Sequence, residues 1–128
     1  MEIMRASFER FNRDGFLPEE LWDPDATLTN TREFPTPGPY RGYEGLRRWR
    51  EDLFEVVKEG QFDVEGLTDA DEAQAVVAEV RLRGHARFTD IGIDAPFSIV
   101  SWFRDGRIYR SEGYSDHAEA LEAAGLSA

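Results

Sequence analysis

Apolar residues recur at helical spacing over the first half of the chain. Steps of three or four residues separate most members of the first run, which contains Ile3, Met4, Phe8 and Phe11. This spacing predicts a helix over residues 2–12. A clearer run predicts a long helix over residues 43–59, with a stripe formed by Leu46, Trp49, Leu53 and Val57. Between them we predict a short helix, a strand and a loop rich in proline and glycine, at residues 17–22, 26–30 and 31–42.

After Gly60 the apolar residues alternate with polar ones, which is the spacing of β-strands. Four strands are predicted, at residues 61–67, 75–88, 96–103 and 106–114. Turn-forming residues separate the strands, and RDG at 104–106 predicts a short hairpin. A final helix is predicted over residues 115–125, because Ser115 or Asp116 can cap it and Gly125 ends it.

Helices followed by a run of strands are typical of α+β proteins whose helices pack on one face of an antiparallel sheet. The strand at 75–88 is too long to stay flat, so we expect the sheet to curve around the helices. Gly84 lies within this strand, where we expect a bulge or a bend. The sequence therefore predicts a single domain over residues 1–128, a cystatin-like α+β cone that encloses a small-molecule pocket.

Charge and composition limit the kinds of molecule that we expect the protein to bind. The chain has 128 residues, 41% of them hydrophobic, and a formal net charge of -11. Such a negative surface repels phosphate backbones and anionic lipids, so we expect neither nucleic acid nor a membrane as partner. The absence of cysteine excludes disulfides and thiolate sites, and two histidines without a known ligand spacing predict no metal or other cofactor. Neither a signal peptide nor a membrane-spanning run of about 20 apolar residues is found, which predicts a cytoplasmic protein.

Several phrases of the sequence resemble one superfamily. They are FNRDG after the first helix, DPDA before the first strand, PYRGYEGLRRW before the long helix, and FRDGRI and GYSDHAEALEAAGL near the end. With the order of the elements, they resemble the nuclear-transport-factor-two-like superfamily in its SnoaL-like, polyketide cyclase-like branch. The resemblance implies the cone fold, and it leaves the function open. Members include isomerases, dehydratases, epoxide hydrolases, cyclases and non-catalytic binding proteins.

The resemblance to ketosteroid isomerases of this superfamily does not extend to their catalytic residues. Their base is an aspartate, and DATLTN places Asn30 at that position. An amide cannot abstract a proton at accessible pH. Their oxyanion hole uses a tyrosine and a protonated aspartate, and those positions fall near Ser7 and Ile99. We therefore do not expect isomerase chemistry of this kind.

The resemblance to limonene-epoxide-hydrolase-like members is partial. It implies a water held by Asn30, but Leu28 replaces the tyrosine that shares this water and can only wall a pocket. Their arginine and aspartate pair aligns with Arg83 and His85, and their second aspartate aligns with Gly113. His85 is then the candidate base or acid, with Arg83 as its electrostatic neighbour. The alternative is that both belong to a charged outer face, solvated or in a dimer contact.

The remaining candidates would bind a ligand rather than react with it. Tyr109 and Ser111 share the parity of Gly113 and would present hydroxyl groups to the pocket. Trp22 and Trp49 are candidates for stacking, although aromatic residues at helical spacing usually form the core. The complete predicted set of ligand-binding residues is Asn30, Leu28, Trp22, Trp49, Phe97, Ile99, Tyr109 and Ser111.

Both faces of the strand at 96–103 are apolar, because Phe97, Ile99 and Phe103 alternate with Val100 and Trp102. This pattern predicts helices on one face and a second subunit on the other, as in a homodimer that forms through the convex face of the sheet. Two functions remain. The first is a cofactor-free hydrolase, dehydratase or cyclase acting on a hydrophobic substrate. The second is a non-catalytic binding or scaffolding module. An enclosed position for His85 beside an acid would favour the enzyme.

Overall fold

The computed structural model describes residues 2–32, 34 and 36–126. Three helices and six strands follow one another in this part of the chain. The helices are α1 (Glu2–Asp14), α2 (Gly42–Val56) and α3 (His117–Ala123). The strands are β1 (Trp22–Thr29), β2 (Tyr40–Arg41), β3 (Val57–Ala70), β4 (Ala75–Ala86), β5 (Gly92–Arg104) and β6 (Arg107–Tyr114). None of the described helices is long and apolar enough to cross a membrane.

The six strands form one curled sheet in the order β2-β1-β6-β5-β4-β3. Hydrogen-bonded pairs are antiparallel throughout the sheet except between β1 and β6, which run parallel. The predicted α+β cone is therefore confirmed, with the difference that the sheet is mixed rather than purely antiparallel. The parallel pair places the start of β1 beside the start of β6, as Trp22 pairs with Ile108.

Several predicted boundaries differ from the structure, and two of the differences have identifiable reasons. The expected helix at 17–22 is only a single 3-10 turn, Glu19–Leu21, because Trp22 is already buried as the first residue of β1. The strand β5 begins at Gly92 rather than at residue 96. Asp90 takes a left-handed φ of 60°, and its N–H donates to the carbonyl of Ala86 at 2.8 Å, which closes a tight hairpin earlier in the chain.

The helices α1 and α2 pack on the concave face of the sheet. Phe11 of α1, Trp49 of α2 and Phe62 of β3 meet there, with ring centroids 5.4–6.1 Å apart. A pair of hydrogen bonds fixes α1 along β3: the Asn12 amide donates to the Phe62 carbonyl at 2.7 Å and accepts from the Phe62 N–H at 2.8 Å. This packing holds the helices at a fixed distance from the sheet.

Part of the convex face of the sheet is covered by the chain itself. Ala120 of α3 and Ala124, which follows the helix, lie in one buried cluster with Val77, Val100 and Trp102. The apolar outer face of β5 therefore has a partner within the same chain and does not require a second subunit. The homodimer stays a prediction, but the apolar outer face of β5 no longer supports it.

A bulge in β3 lies beside Gly84. The register with β4 shifts between Lys58 and Gln61, and Glu59 takes a left-handed φ of 57°. A Cβ added at Gly84 would lie 2.8 Å from Cγ1 of Val57 and 2.9 Å from the carbonyl oxygen of Lys58. The bulge predicted within the strand of Gly84 therefore lies in the neighbouring strand β3, opposite Gly84.

Replacing Gly84 with alanine should destabilise the protein, because the added methyl group collides with backbone that cannot move independently. We expect Gly84→Ala to lower the free energy of unfolding by about 1–3 kcal/mol in urea denaturation. Gly92→Ala is the matched control, since an added Cβ there meets no heavy atom within 4 Å. Its effect should stay within about 0.5 kcal/mol. Equal effects of the two substitutions would contradict the tight approach at Gly84.

Candidate functional site

A cavity of about 50 Å³ lies between the concave face of the sheet and the helices α1 and α2. Its apolar lining comes from both helices, four strands and two connecting segments: Met4, Phe8, Leu17, Trp22, Leu28, Phe34, Trp49, Phe62, Phe97, Ile99 and Ile108. The remaining lining residues are small or polar: Ser7, Thr29, Asn30, Thr31, Ser101, Ser111 and Gly113. None of these described lining residues has a side chain that ionises near neutral pH. The site is therefore an uncharged cavity.

The buried hydroxyl groups of the cavity have partners within it. The oxygens of Ser101 and Ser111 lie 2.9 Å apart across the neighbouring strands β5 and β6. On the helix side, the indole N–H of Trp22 donates to the hydroxyl of Ser7 at 3.2 Å. No buried side-chain nitrogen or oxygen lacks a partner in the described part of the chain. These contacts let polar groups occupy an otherwise apolar interior at low cost.

Asn30, which follows β1, connects three segments through hydrogen bonds. Its Oδ1 accepts from the indole N–H of Trp49 at 2.9 Å, and its Nδ2 donates to the carbonyl of Thr36, also at 2.9 Å. Its backbone N–H donates to the carbonyl of Pro37 at 2.8 Å. Because the indole can only donate, the orientation of the amide is determined. Each end of the amide thus has one partner within the protein and can form one more hydrogen bond, and the water-holding role implied by the epoxide-hydrolase-like members stays a prediction.

The predicted placement of His85 and Arg83 inside the cone is wrong. Their side chains are 47% and 55% exposed, and neither lines the cavity. Arg83 forms an ion pair with Asp63 at 2.8 Å, and Nδ1 of His85 lies 3.9 Å from a carboxylate oxygen of Glu59. Alternation along β4 instead turns Leu82 towards the core. The hypothesis that His85 is a base within the pocket fails on this geometry.

Tyr109 is also misplaced by the predicted alternation. The register between β5 and β6 shifts at this point. Trp102 pairs with Arg110, but the next residue, Phe103, pairs with Ile108. Tyr109 therefore has no pairing partner on β5 and forms a bulge. Tyr109 therefore packs in the convex-face cluster, with the guanidinium of Arg104 4.8 Å from its ring centroid. A bulge changes which residues face inward, and the sequence does not reveal it.

Seven predicted ligand-binding residues do line the cavity. They are Asn30, Leu28, Trp22, Trp49, Phe97, Ile99 and Ser111. Their contact with a ligand stays a prediction. Sequence reasoning did not select Ser101, although it shares the parity of Phe97 and Ile99 on β5. The two positions that align with the oxyanion hole of the isomerases, Ser7 and Ile99, both reach the cavity.

Two grooves adjoin the cavity. An apolar groove of about 360 Å³ shares Thr31, Phe34 and Phe97 with it and continues along β4 and β5. A polar groove of about 480 Å³ shares Thr29, Asn30 and Gly113. The apolar groove therefore extends the cavity towards the surface, and its lining is mainly apolar like that of the cavity.

The polar groove contains one titratable group with a displaced pKa. The Tyr114 hydroxyl donates to Glu112 at 2.8 Å, and burial, followed by this hydrogen bond, raises the pKa of Tyr114 to about 12. The phenol is therefore neutral at physiological pH. The described residues contain no group of three His, Asp or Glu side chains that could hold a metal ion.

Removing the Asn30 amide should loosen the wall of the cavity. Asn30→Ala leaves the indole N–H of Trp49 and the carbonyl of Thr36 without their present partners, so we expect a loss of about 1–3 kcal/mol in the free energy of unfolding. The neighbouring Thr29→Ala removes a cavity-lining side chain for which no hydrogen bond is found in the described part of the chain, and it should cost less. Urea denaturation compares the two. A smaller loss of unfolding free energy for Asn30→Ala than for Thr29→Ala would contradict the stabilising role of the Asn30 hydrogen bonds.

Comparisons with known proteins identify the family and the fold of this chain. The sequence matches the family profile of the SnoaL-like domain over residues 3–111, and no curated protein matches it significantly. Its structure is similar to that of an NTF2-like protein of unknown function from Burkholderia pseudomallei K96243, at 19% identity and a TM-score of 0.77, with 95% of this chain and 94% of that chain covered.

Two further structures have the same fold. One is a protein with a ketosteroid isomerase-like fold from Catenulispora acidiphila DSM 44928 in complex with trimethylamine, at 17% identity and a TM-score of 0.73, with 98% and 93% of the two chains covered. The other is TerC, co-crystallised with polyporic acid, at 16% identity and a TM-score of 0.75, with 97% and 96% covered. These likenesses show the fold, and the profile match shows the family. The chain belongs to the SnoaL-like domain family of the NTF2-like superfamily.

Proposed function

We propose that this protein binds a small, uncharged and mainly apolar molecule in the cavity of the cone and performs no acid–base chemistry on it. The observation that carries the proposal is the uncharged lining of the cavity. General acid–base catalysis requires a group that exchanges protons within hydrogen-bond reach of the substrate. Among the described residues, no base contacts the serine hydroxyls of the cavity to activate them as nucleophiles.

The same lining selects against charged ligands. An ion that leaves water for an apolar interior loses several kcal/mol of solvation unless an opposite charge or several hydrogen bonds replace it. The charged side chains on the outer face of β4, among them Arg81 and Arg83, pair with acids on that face and do not reach the interior. A neutral ligand avoids this cost and gains about 25 cal/mol for each Å² of apolar surface that it buries.

The space available sets the size of the ligand. A water molecule occupies roughly 10–15 Å³ by the same measure, so a cavity of about 50 Å³ holds a few waters or one compact organic group. A longer ligand would pass Phe34 and Phe97 and lie in the apolar groove outside. Two proteins of this fold bind small molecules, trimethylamine in one and polyporic acid in the other, which supports small-molecule binding as the use of the cone.

The proposal favours the non-catalytic of the two functions that the sequence left open. A hydrolase, dehydratase or cyclase built on His85 is not supported, since that side chain lies on the outer face. One structure of this fold is that of a proposed SnoaL-like polyketide cyclase, from Jannaschia sp. CCS1, and a cyclase ancestry is compatible with a binding protein that has lost its catalytic acids. The cytoplasmic location and the homodimer remain predictions.

A blocked cavity should abolish binding. Uncharged apolar compounds are screened by thermal shift, and a ligand at 100 times its Kd should add about 2.7 kcal/mol to the free energy of unfolding. Ile99→Trp should remove this stabilisation, because the larger side chain fills the cavity. It should leave the protein folded at an overpacking cost of about 1–3 kcal/mol.

His85→Ala is the matched control for this experiment. It changes the residue that the enzyme hypothesis needs and leaves the cavity intact, so binding should match the unsubstituted protein. Loss of binding in His85→Ala with retention in Ile99→Trp would contradict the proposed site.

A further inference from the structure

We infer that the serine pair Ser101 and Ser111 donates a hydrogen bond to a carbonyl oxygen of the ligand, which makes compact apolar ketones and related carbonyl compounds the ligand class. The inference rests on the proposed binding function and adds the chemical feature that the cavity recognises. It starts from a polar contact deep in the apolar wall, since the exposed fractions of Ser101 and Ser111 are only 1% and 5%.

The position of the pair is fixed by the sheet. Ser101 of β5 and Ser111 of β6 face each other in the register, and both side chains line the cavity. Ile99, two residues before Ser101, and Gly113, two residues after Ser111, also line it. The hydroxyls therefore point from two rigid strands into the interior, which is the kind of support that a specific contact requires.

The proton count leaves one donor for the ligand. Each serine hydroxyl carries one proton, and the contact of 2.9 Å between the two oxygens uses one of them. No further hydrogen bond of either hydroxyl is found in the described part of the chain. The backbone carbonyls of paired strands are directed sideways into the ladder rather than along the side chains. The second proton is thus available to an acceptor in the cavity.

The other polar groups of the cavity are less suited to this role. The amide of Asn30 already bonds to Trp49 and to Thr36. Thr29 and Thr31 lie where the cavity meets the two grooves, so their hydroxyls can donate to water there. The hydroxyl of Ser7 is held by the indole of Trp22 on the helix side of the cavity. A ketone complements a single donor because it accepts hydrogen bonds and brings no proton that needs a partner. A carboxylate would bring an unpaired charge.

Matched pairs of ligands test the inference. Each pair has the same shape and differs by C=O against C=CH₂: cyclopentanone and methylenecyclopentane, cyclohexanone and methylenecyclohexane, and acetophenone and α-methylstyrene. Affinities are measured by NMR titration of the ¹⁵N-labelled protein. One neutral hydrogen bond predicts that the ketone binds roughly two- to tenfold more tightly than the alkene in the pairs that fit.

The double variant S101A/S111A should lose this preference and bind ketone and alkene alike. It removes both partners of one buried hydrogen bond, which is close to neutral for stability, so the variant should fold. Ser98→Ala is the matched control. Ser98 is a buried serine of the same strand whose hydroxyl contacts Nδ1 of His117 at 2.8 Å and does not line the cavity, so the preference should be kept.

The outcomes separate the two proposals. Equal binding of ketone and alkene by the unsubstituted protein, or an unchanged preference in S101A/S111A, overturns the role of the serine pair and leaves apolar binding in place. Binding of neither member of any pair overturns the binding function together with this inference. If S101A/S111A does not fold, S101A/S111C takes its place, because the thiol restores most of the lost volume and is only a weak donor, and this variant should lose the preference.

Discussion

The contact among Phe11, Trp49 and Phe62 supports the rest of the structure. These rings join α1, α2 and β3 with centroids 5.4–6.1 Å apart, and the paired hydrogen bonds of Asn12 to Phe62 hold the same junction from the side. These large rings fill the space between the helices and the sheet at close-packed density, so they keep the helices from packing directly against the concave face. The cavity is the space left on the far side of these spacers, and Trp49 and Phe62 form part of its wall.

The separation of charge from this interior follows from the same packing. The wall is composed of aromatic, aliphatic and small hydroxyl side chains, each satisfied by packing or by a neighbour. The acids and bases of the sheet are on its other face, where Arg81 contacts both Glu65 and Asp94. Exposed ion pairs of this kind contribute little to stability. Their placement matters more for function, because the described lining of the cavity contains no acid or base.

The sequence predicts this fold well where one periodicity dominates. The helices α1 and α2 were placed to within three residues, and the alternation of Phe97, Ile99 and Ser101 gave the inward face of β5. In β4 the residues from Ala75 to Ala78 are apolar on both faces, so alternation there cannot tell inside from outside. The grouping of Arg81, Arg83 and His85 on one parity was the available signal for the outer face.

The remaining misses come from structure that alternation cannot encode. The bulge at Tyr109 shifts β6 by one residue, and the packing of α3 on Val100 and Trp102 gives the outer face of β5 a partner within the chain. Asn30 was identified as the informative residue of the first strand, yet its bonds to Trp49 and Thr36 depend on contacts between distant segments. Such contacts are set by tertiary packing rather than by local pattern.

The location of a bound ligand tests the central claim most directly. The protein with labelled methyl groups is saturated with acetophenone, and nuclear Overhauser effects between ligand and methyl protons are recorded by NMR. We predict contacts with Met4, Ile99 and Ile108, whose side chains line the uncharged cavity. Contacts confined to Val77 and Val100 beneath α3, or to the exposed Ile91, would show that the ligand binds elsewhere and would contradict the account.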